Sequence, residues 1–545
     1  MSDKLWKYKN DSIIKDRNKC LDIILVDYGI ITTQQKDNYF NLSLDKLYDP
    51  FLISNIHQAV DIILSALSSG ERITIFGDYD VDGVTSTALL YNFLTDHFSP
   101  VAVDYLVGNR RAGGYGLSLR AVEEALNNNT SLLITVDCGI KDFTTIRQAV
   151  SDGMKVIVLD HHEPEEDSHH PATVVIDLKQ KECHYPFLEL SACGVAFKLI
   201  CAILKTINKP YTEAYKYLDL VGLSTACDLV PLIDENRTLM YYGLQQLHET
   251  SNTGLRQMIN LCTLDSINID DILFKLGPRL NAAGRMSSAM MAVQLLTTKD
   301  EQLAYMLSQD LDSLNSQRKK LCSDITSSVD KLLDNNKSTT VLYSPTWHQG
   351  VIGIVASQCL STKYCPTIIM TRRDNVIVGS CRSTKDINIY QALEQCKDLL
   401  LGFGGHSLAA GITLEEQNIE PFKERFEKVI STLRSGQQQT PILAITCQLA
   451  IEVVDKEFCE MLFRCEPFGV ANEKPIFVSQ IQNYSYSIYR NSFVIKINNN
   501  LFAIGYHMSD KEHILTSKRP LLMAYSISNM TSKDIVLTIK DIKEE

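Results

Sequence analysis

The sequence predicts a multidomain α/β protein: a doubly wound, mostly parallel sheet, a long connector helix, a second and smaller α/β domain, and a small C-terminal β-barrel or sandwich. Three observations carry this. From Arg72 to Asp177, short apolar runs alternate with helical stretches. From Asp300 to Leu333, apolar residues recur at helical spacing with no Pro or Gly between them. After residue 441, short strand-like runs follow one another to the end.

Length and composition agree. The chain has 545 residues, three to four domains' worth at roughly 150 residues each. Apolar residues make up 45% and charged residues 22%, which excludes wholesale disorder. Lys plus Arg is 53 against 65 for Asp plus Glu, a net charge of −12. That excludes a uniformly basic nucleic-acid coat but not a local basic channel. The 15 cysteines include no CxxC pair and no Cys/His zinc spacing, so reduced thiols in a cytoplasmic protein are expected. MSDKLWKYKND has no apolar core of a secretory signal, and no stretch approaches the ~18 apolar residues of a membrane span.

Residues 1–50 are mixed and are set aside as an N-terminal extension. In the first domain, 51–299, the strands are ITIFGDYD, VAVDYLV, SLLITVD, KVIVLD and ATVVID, with helices STALLYNFL, LRAVEEAL and FTTIRQAVSDG between them. Over 300–335, Leu303, Leu307, Leu311, Leu314, Leu321, Ile325, Val329 and Leu332 mark one face of a helix on the order of 50 Å long. A connector is one reading of this helix, and a coiled-coil dimer seam is the other. Residues 336–435 hold the strands TTVLYS, TIIMTR and VIVGS and the Gly-rich LGFGGHSLAAG. RSGQQQTP is a linker, and 436–545 hold the final β domain. There, from Lys474 to Lys533, seven basic residues stand against two acids, interleaved with Tyr484, Tyr486, Tyr489, Phe493, Phe502 and Tyr506. Basic groups with stacking aromatics suit single strands bound without sequence preference, although strand alternation must turn some of these rings into the core.

The chemistry concentrates at strand ends. In GDYDVDG, Asp78, Asp80 and Asp82 fall at i, i+2 and i+4. Three anions so close repel unless a cation neutralises them, and hard oxygens suit Mg²⁺ or Mn²⁺. The run also resembles the opening of a Ca²⁺ loop, but Leu89 stands where that loop needs Glu. ITVDCG adds Asp137, VLDHHEP adds Asp160, His161 and His162, and ACDLVPL adds Asp228. In open α/β sheets, ligands bind beyond the carboxyl ends of the strands, so these groups should converge. Together they offer enough ligands for two metals at the ~3.5–4 Å separation of two-metal phosphoryl transfer. Taken singly, each acid also has a structural reading, as a solvated turn or an ordinary strand-end residue. His169 and His170 lie in a polar acidic loop and read as solvated.

The ordered set DYDVDG, VDCG, LDHH and ACDLVPL resembles motifs I to IV of the DHH phosphoesterase superfamily. GPRLNAAGRM, WHQGVIGIVAS, GSCRS and GFGGHSLAAG resemble the associated DHHA1 domain, and PFGVANEKPIF resembles the segment leading into an oligonucleotide-binding (OB) fold. Coverage runs from about Arg72 to the C-terminus. Cys227 replaces an expected Ala, and Ala471 and Glu473 replace an expected Gly and Pro. The combination is similar to the exonuclease members of the superfamily.

The resemblance implies two divalent ions, Mn²⁺ or Mg²⁺, held by Asp80, Asp82, Asp137, His161 and Asp228, with Asp78 contributing and Asp137 bridging. It implies that Asp160 orients a histidine and that His162 meets the scissile phosphate. As phosphate anchors it implies Arg110, Tyr115, Arg279, Asn281, Arg285, Ser380, Arg382, Gly404, Gly405 and His406. His348 is either a further anchor or a packing residue. The implied activity is hydrolysis of single-stranded DNA from the 5′ end in repair and recombination, with a DNA helicase and a single-strand-binding protein as candidate partners. The connector-helix reading favours a monomer. Two rivals stand beside it: a phosphodiesterase of short oligonucleotides or cyclic dinucleotides, and a non-catalytic strand-binding scaffold.

Overall fold

The computed structural model describes residues 4–109, 115–165, 169–264, 266–334, 336–434, 440–517, 519–531 and 533–545. The chain divides into two compact units: Asn41–Arg318 with Pro467–Glu473, and Met1–Phe40 with Lys319–Glu466 and Lys474–Glu545.

The first unit holds a five-stranded sheet of β1 (Ile73–Gly77), β2 (Val103–Val107), β3 (Leu132–Val136), β4 (Lys155–Asp160) and β5 (Val174–Asp177). The order is β2-β1-β3-β4-β5 and every pairing is parallel. Helices cover both faces, so β1 and β3 are buried end to end and read as unbroken apolar runs. One layer packs Ile73, Ile75, Ile134 and Leu159 against α1 (Val81–His97) and α3 (Ala192–Thr206), and the other packs Phe76, Leu133 and Val158 with α2 (Phe143–Ser151). The order reverses between β1 and β3, which opens a crevice at their carboxyl ends. Two further helices flank it: α4 (Leu218–Cys227) and α5 (Gly277–Met286).

The departures from the family pattern have local causes. Cys227 ends α4, and its sulfur lies 2.5 Å from where a Cβ on Gly277 would stand, so the larger residue fits because α5 opens on glycine. Ala471 adopts φ +61°, the left-handed region that glycine enters without a Cβ clash. The turn is held by the Gly469–Asn472 bridge and by the Asn472 amide, which donates to the Pro467 carbonyl at 2.8 Å.

The long helix α6 (Glu301–Asp330) has 30 residues, ~45 Å. Leu307, Leu311, Ile325 and Val329 are buried as the periodicity predicts. Leu303 and Leu332 are exposed, and Ala304, Ser308, Asn315 and Cys322 join the buried stripe. Leu307 and Leu311 pack into the core of the first unit, so at least that half of the stripe is consumed within the chain.

The second unit contains two larger sheets. One has β6 (Thr340–Tyr343), β7 (Thr367–Arg373), β8 (Val376–Arg382), β9 (Gly402–Gly405) and β10 (Ala409–Leu414), in the order β9-β10-β8-β7-β6. The other is eight-stranded and mixed. It runs from Ser485–Tyr489 at one edge through Ser492–Lys496, Leu501–Gly505, Ile535–Glu544, Leu521–Met530, Phe477–Ile481 and Cys447–Leu449 to Ile13–Ile14. Residues 4–40 therefore do not stand apart as an extension. Ile13–Ile14 pairs with Cys447–Leu449, and Leu5–Tyr8 pairs with Ile442–Ile445, both in parallel. Among the described residues, no single helix is long and apolar enough to cross a membrane.

Candidate metal centre

The site is built at the tips of β1, β3 and β4. Asp78 follows β1, Asp137 follows β3 and Asp160 ends β4. Asp80 caps α1: its Oδ1 accepts from the backbone N–H groups of Asp82 (3.0 Å) and Gly83 (3.2 Å). Asp82, in the first turn, is buried. Its oxygens accept from the N–H groups of Ala192 (2.8 Å) and Cys193 (2.9 Å) and from the Ser224 hydroxyl (2.6 Å). The N-terminus of α3, capped by Ser191, thus holds this carboxylate by backbone donors and by its dipole. Sequence reading missed the clamp, and its only local signal is a Ser before an apolar helix.

Asp137 sits at φ +60°, a conformation Asp tolerates, and its N–H donates to the Leu159 carbonyl at 3.0 Å. The Nε2 of His161 lies 3.3 Å from Asp137 and 3.7 Å from both Asp82 and Asp228. This buried nitrogen makes no hydrogen bond. Three donor sets each close within 4.8 Å: Asp78, Asp80 and Asp137; Asp82, His161 and Asp228; and Asp137, His161 and His162. Asp137 therefore belongs both to a set with Asp78 and Asp80 and to one with His161.

The electrostatics follow. Burial, and then the charges of Asp80, Asp82 and Asp78, push Asp137 well above the carboxylate range. Burial, then Asp82 and Asp80, raise Asp228 to about 9. Burial lowers His161, leaving a neutral ring with a lone pair to give. Without cations the cluster resists the ionisation of Asp137 and Asp228. Divalent ions in their place would relieve both the repulsion and the unpaired His161 nitrogen, so the residues present fit such ions.

Asp160 behaves in the opposite way. Burial would raise it, but hydrogen bonds from His162 and from the Ile140 N–H hold it below its ordinary value. Its Oδ1 lies 2.7 Å from His162 Nδ1 and accepts from the His161 N–H at 2.8 Å, while its Oδ2 accepts from Ile140 at 3.0 Å. Burial would lower His162, and Asp160 more than offsets it, so His162 keeps its proton above the ordinary pH. The Tyr115 hydroxyl bonds the Asp137 carbonyl at 3.0 Å and lies 3.0 Å from His162 Nδ1. Asp142 braces the chain just after Tyr115. It leaves its own helix α2 without a side-chain cap and accepts instead from the Leu117 N–H at 2.7 Å.

The remaining expectations divide. Arg110 lies outside the described residues. Gly284 of α5 sits where an added Cβ would come 2.6 Å from the Tyr79 carbonyl oxygen, which brings half-buried Asn281 and Arg285 beside the first motif. Arg279 is engaged within its own unit: its Nε and Nη2 pair with Asp312 at 2.9 and 2.8 Å, and its Nη1 donates to the Lys275 carbonyl at 2.9 Å. His170 is not simply solvated, since it bonds the Gly139 carbonyl at 3.1 Å and packs on Phe143. In the second unit, Arg382 donates from Nε to Ser357 (3.1 Å) and from Nη1 to Ser380 (3.2 Å), close over Gly353. His348 Nδ1 accepts from the Gly350 N–H at 3.1 Å. Gly404, Gly405 and His406 are exposed, on and just after edge strand β9. Of the C-terminal rings, Phe493 is core, whereas Tyr489 and Tyr506 are 70% and 55% exposed.

A buried acid beside the site gives a pH prediction. Asp177 pairs in register with Asp160, and one of its oxygens has no hydrogen bond. Burial raises it to about 7. The unfolded chain ionises near pH 4 while the folded chain stays protonated, so stability falls between about pH 4 and 7 and the loss persists above. Asp177→Asn should therefore stabilise the protein by about 1–3 kcal/mol at pH 8 and by much less at pH 5. Denaturant unfolding at the two pH values checks this, and an equal shift at both would refute it.

Comparison with known proteins gives the site a context. Residues 72–225 match the DHH family, N-terminal domain, and residues 336–432 match the DHHA1 domain. The single-stranded-DNA-specific exonuclease RecJ of Bacillus subtilis is 34% identical over 83% of this chain, which spans 57% of that protein. That of Dickeya dadantii is 34% identical over 80% of this chain and 79% of its own length. A crystal structure of RecJ from Thermus thermophilus in complex with Mn²⁺ superposes with a TM-score of 0.82 at 25% identity, over 99% of this chain and 79% of that one.

Proposed function

Since the chain belongs to the RecJ family of single-stranded-DNA-specific exonucleases, we propose that it hydrolyses single-stranded DNA at a two-metal centre formed by Asp78, Asp80, Asp82, Asp137, His161 and Asp228. The observation that carries this is the buried, unbonded His161 Nε2 facing three carboxylates at the strand tips. Mn²⁺ or Mg²⁺ bound there supplies the Lewis acidity and activated water of phosphodiester hydrolysis.

The chain's own residues do the rest. Asp160 orients His162, whose retained proton is available to a phosphate oxygen. The Tyr115 hydroxyl approaches the same ring nitrogen and, with Asn281 and Arg285, is a phosphate anchor of the first unit; His348, Ser380, Arg382, Gly404, Gly405 and His406 are the phosphate anchors assigned to the second unit. Arg110 is assigned by resemblance alone. Arg279, occupied by Asp312, contributes by bracing α5. The C-terminal β domain acts as the OB-type platform, with the exposed Tyr489 and Tyr506 offered to bases. Attack from the 5′ end, a monomeric state, a cytoplasmic setting, and a helicase and a single-strand-binding protein as partners complete the reading.

The test uses DNA strands labelled separately at each end, with Mn²⁺, with Mg²⁺ and with chelator. Metal-dependent release of mononucleotides beginning at the 5′ label is expected. Cleavage confined to dinucleotides, or binding without cleavage, would overturn the reading.

A further inference from the structure

A lysine that no motif includes lies beside the acids. Lys179 follows β5 by two residues, and its N–H donates to Asp177 Oδ1 at 2.8 Å, turning the chain at the strand tip. β5 neighbours β4, whose end carries Asp160, His161 and His162. The Lys179 side chain is only 20% exposed, and its Nζ stops 3.4 Å from Oε1 of Glu163, an exposed acid next to His162.

The chemical setting makes this position matter. A site built of carboxylates repels a polyanion, and a cation at its margin reverses that locally. The Glu163 pair is long and half in solvent, so it contributes little and exchanges readily. A phosphate oxygen offers the ammonium a shorter, charge-assisted bond.

We propose that Lys179 is a substrate anchor of the metal centre, that its ammonium binds a non-bridging oxygen of the entering phosphodiester, and that Glu163 holds this ammonium until the strand displaces it. The inference rests on the exonuclease reading.

Three forms of the full-length protein test it: wild type, Lys179→Ala and Glu163→Gln. Each is assayed for turnover of single-stranded DNA at several salt concentrations and for Mn²⁺ affinity without DNA. Lys179→Ala should raise KM about tenfold with Mn²⁺ affinity within about twofold of wild type, and should flatten the salt dependence by about one counterion. Glu163→Gln should lower KM about two- to threefold, the opposite sign. A merely structural pair would move both variants the same way. An unchanged KM and salt slope in Lys179→Ala, or a raised KM in Glu163→Gln, would overturn the assignment. A wild-type protein inactive on single strands would instead remove the exonuclease reading, and this inference with it.

Discussion

Asp137→Asn is expected to lower kcat on single-stranded DNA by about 10⁴-fold or more, ~5.5 kcal/mol of barrier, while the strand still binds. Asn suits this position better than Ala because φ is +60° there, a region Asn enters at little cost and Ala does not. The substitution removes the one carboxylate that groups both with Asp78 and Asp80 and with His161. It also removes a group whose ionisation burial and its neighbours oppose. Metal-free Asp137→Asn should therefore melt above metal-free wild type even as turnover disappears. Calorimetry without metal and single-turnover kinetics with Mn²⁺ read the two effects. Lost activity with lowered stability would indicate a folding defect, and retained turnover would sink the bridging role.

Gly83→Ala should be nearly as damaging through backbone geometry alone. Gly83 lies in the first turn of α1, where a Cβ would stand 2.5 Å from the Asp78 carbonyl oxygen and 2.6 Å from its nitrogen. Both are backbone atoms, so no side-chain rotation relieves the contact. Gly77 interlocks from the strand, with its own Cβ position 2.7 Å from the Gly83 oxygen. The helix must retreat from β1 by a sizeable fraction of an ångström, taking Asp80 and Asp82 out of register with Asp137. A loss of about 10²-fold or more in kcat/KM is expected, with about 1–3 kcal/mol of stability. Gly70→Ala is a fair control for added bulk in this unit, since nothing lies within 4 Å of its Cβ position, although its φ of +68° carries a strain cost of its own. Near-wild-type kcat/KM in Gly83→Ala would contradict the interlock.

The catalytic sheet was legible because parallel strands buried on both faces read as unbroken apolar runs, and the acids that end them are abrupt. Asp78, Asp137 and Asp160 could thus be placed at the carboxyl ends of the strands from the pattern alone. What escaped was long-range or patternless. The clamp on Asp82 comes from Ala192 and Cys193, over a hundred residues away, through backbone N–H groups that no side-chain pattern records. Ile13–Ile14 is too short to show a period, so its pairing with Cys447–Leu449 could not be anticipated. Asp142 looks like an ordinary helix cap and is spent on Leu117 instead. Arg279 sits inside a matched motif, yet Asp312, on the long helix, claims it. In each case a partner distant in sequence decided the outcome.

Anomalous diffraction from crystals soaked in Mn²⁺ would show whether the acids and His161 form one centre for two ions with Asp137 common to both. Two manganese peaks are expected, one among Asp78, Asp80 and Asp137 and one among Asp82, His161 and Asp228, with Asp137 within ligand distance of each. A single peak in a form that turns over DNA at the full rate, or manganese bound only at exposed acids elsewhere, would contradict it.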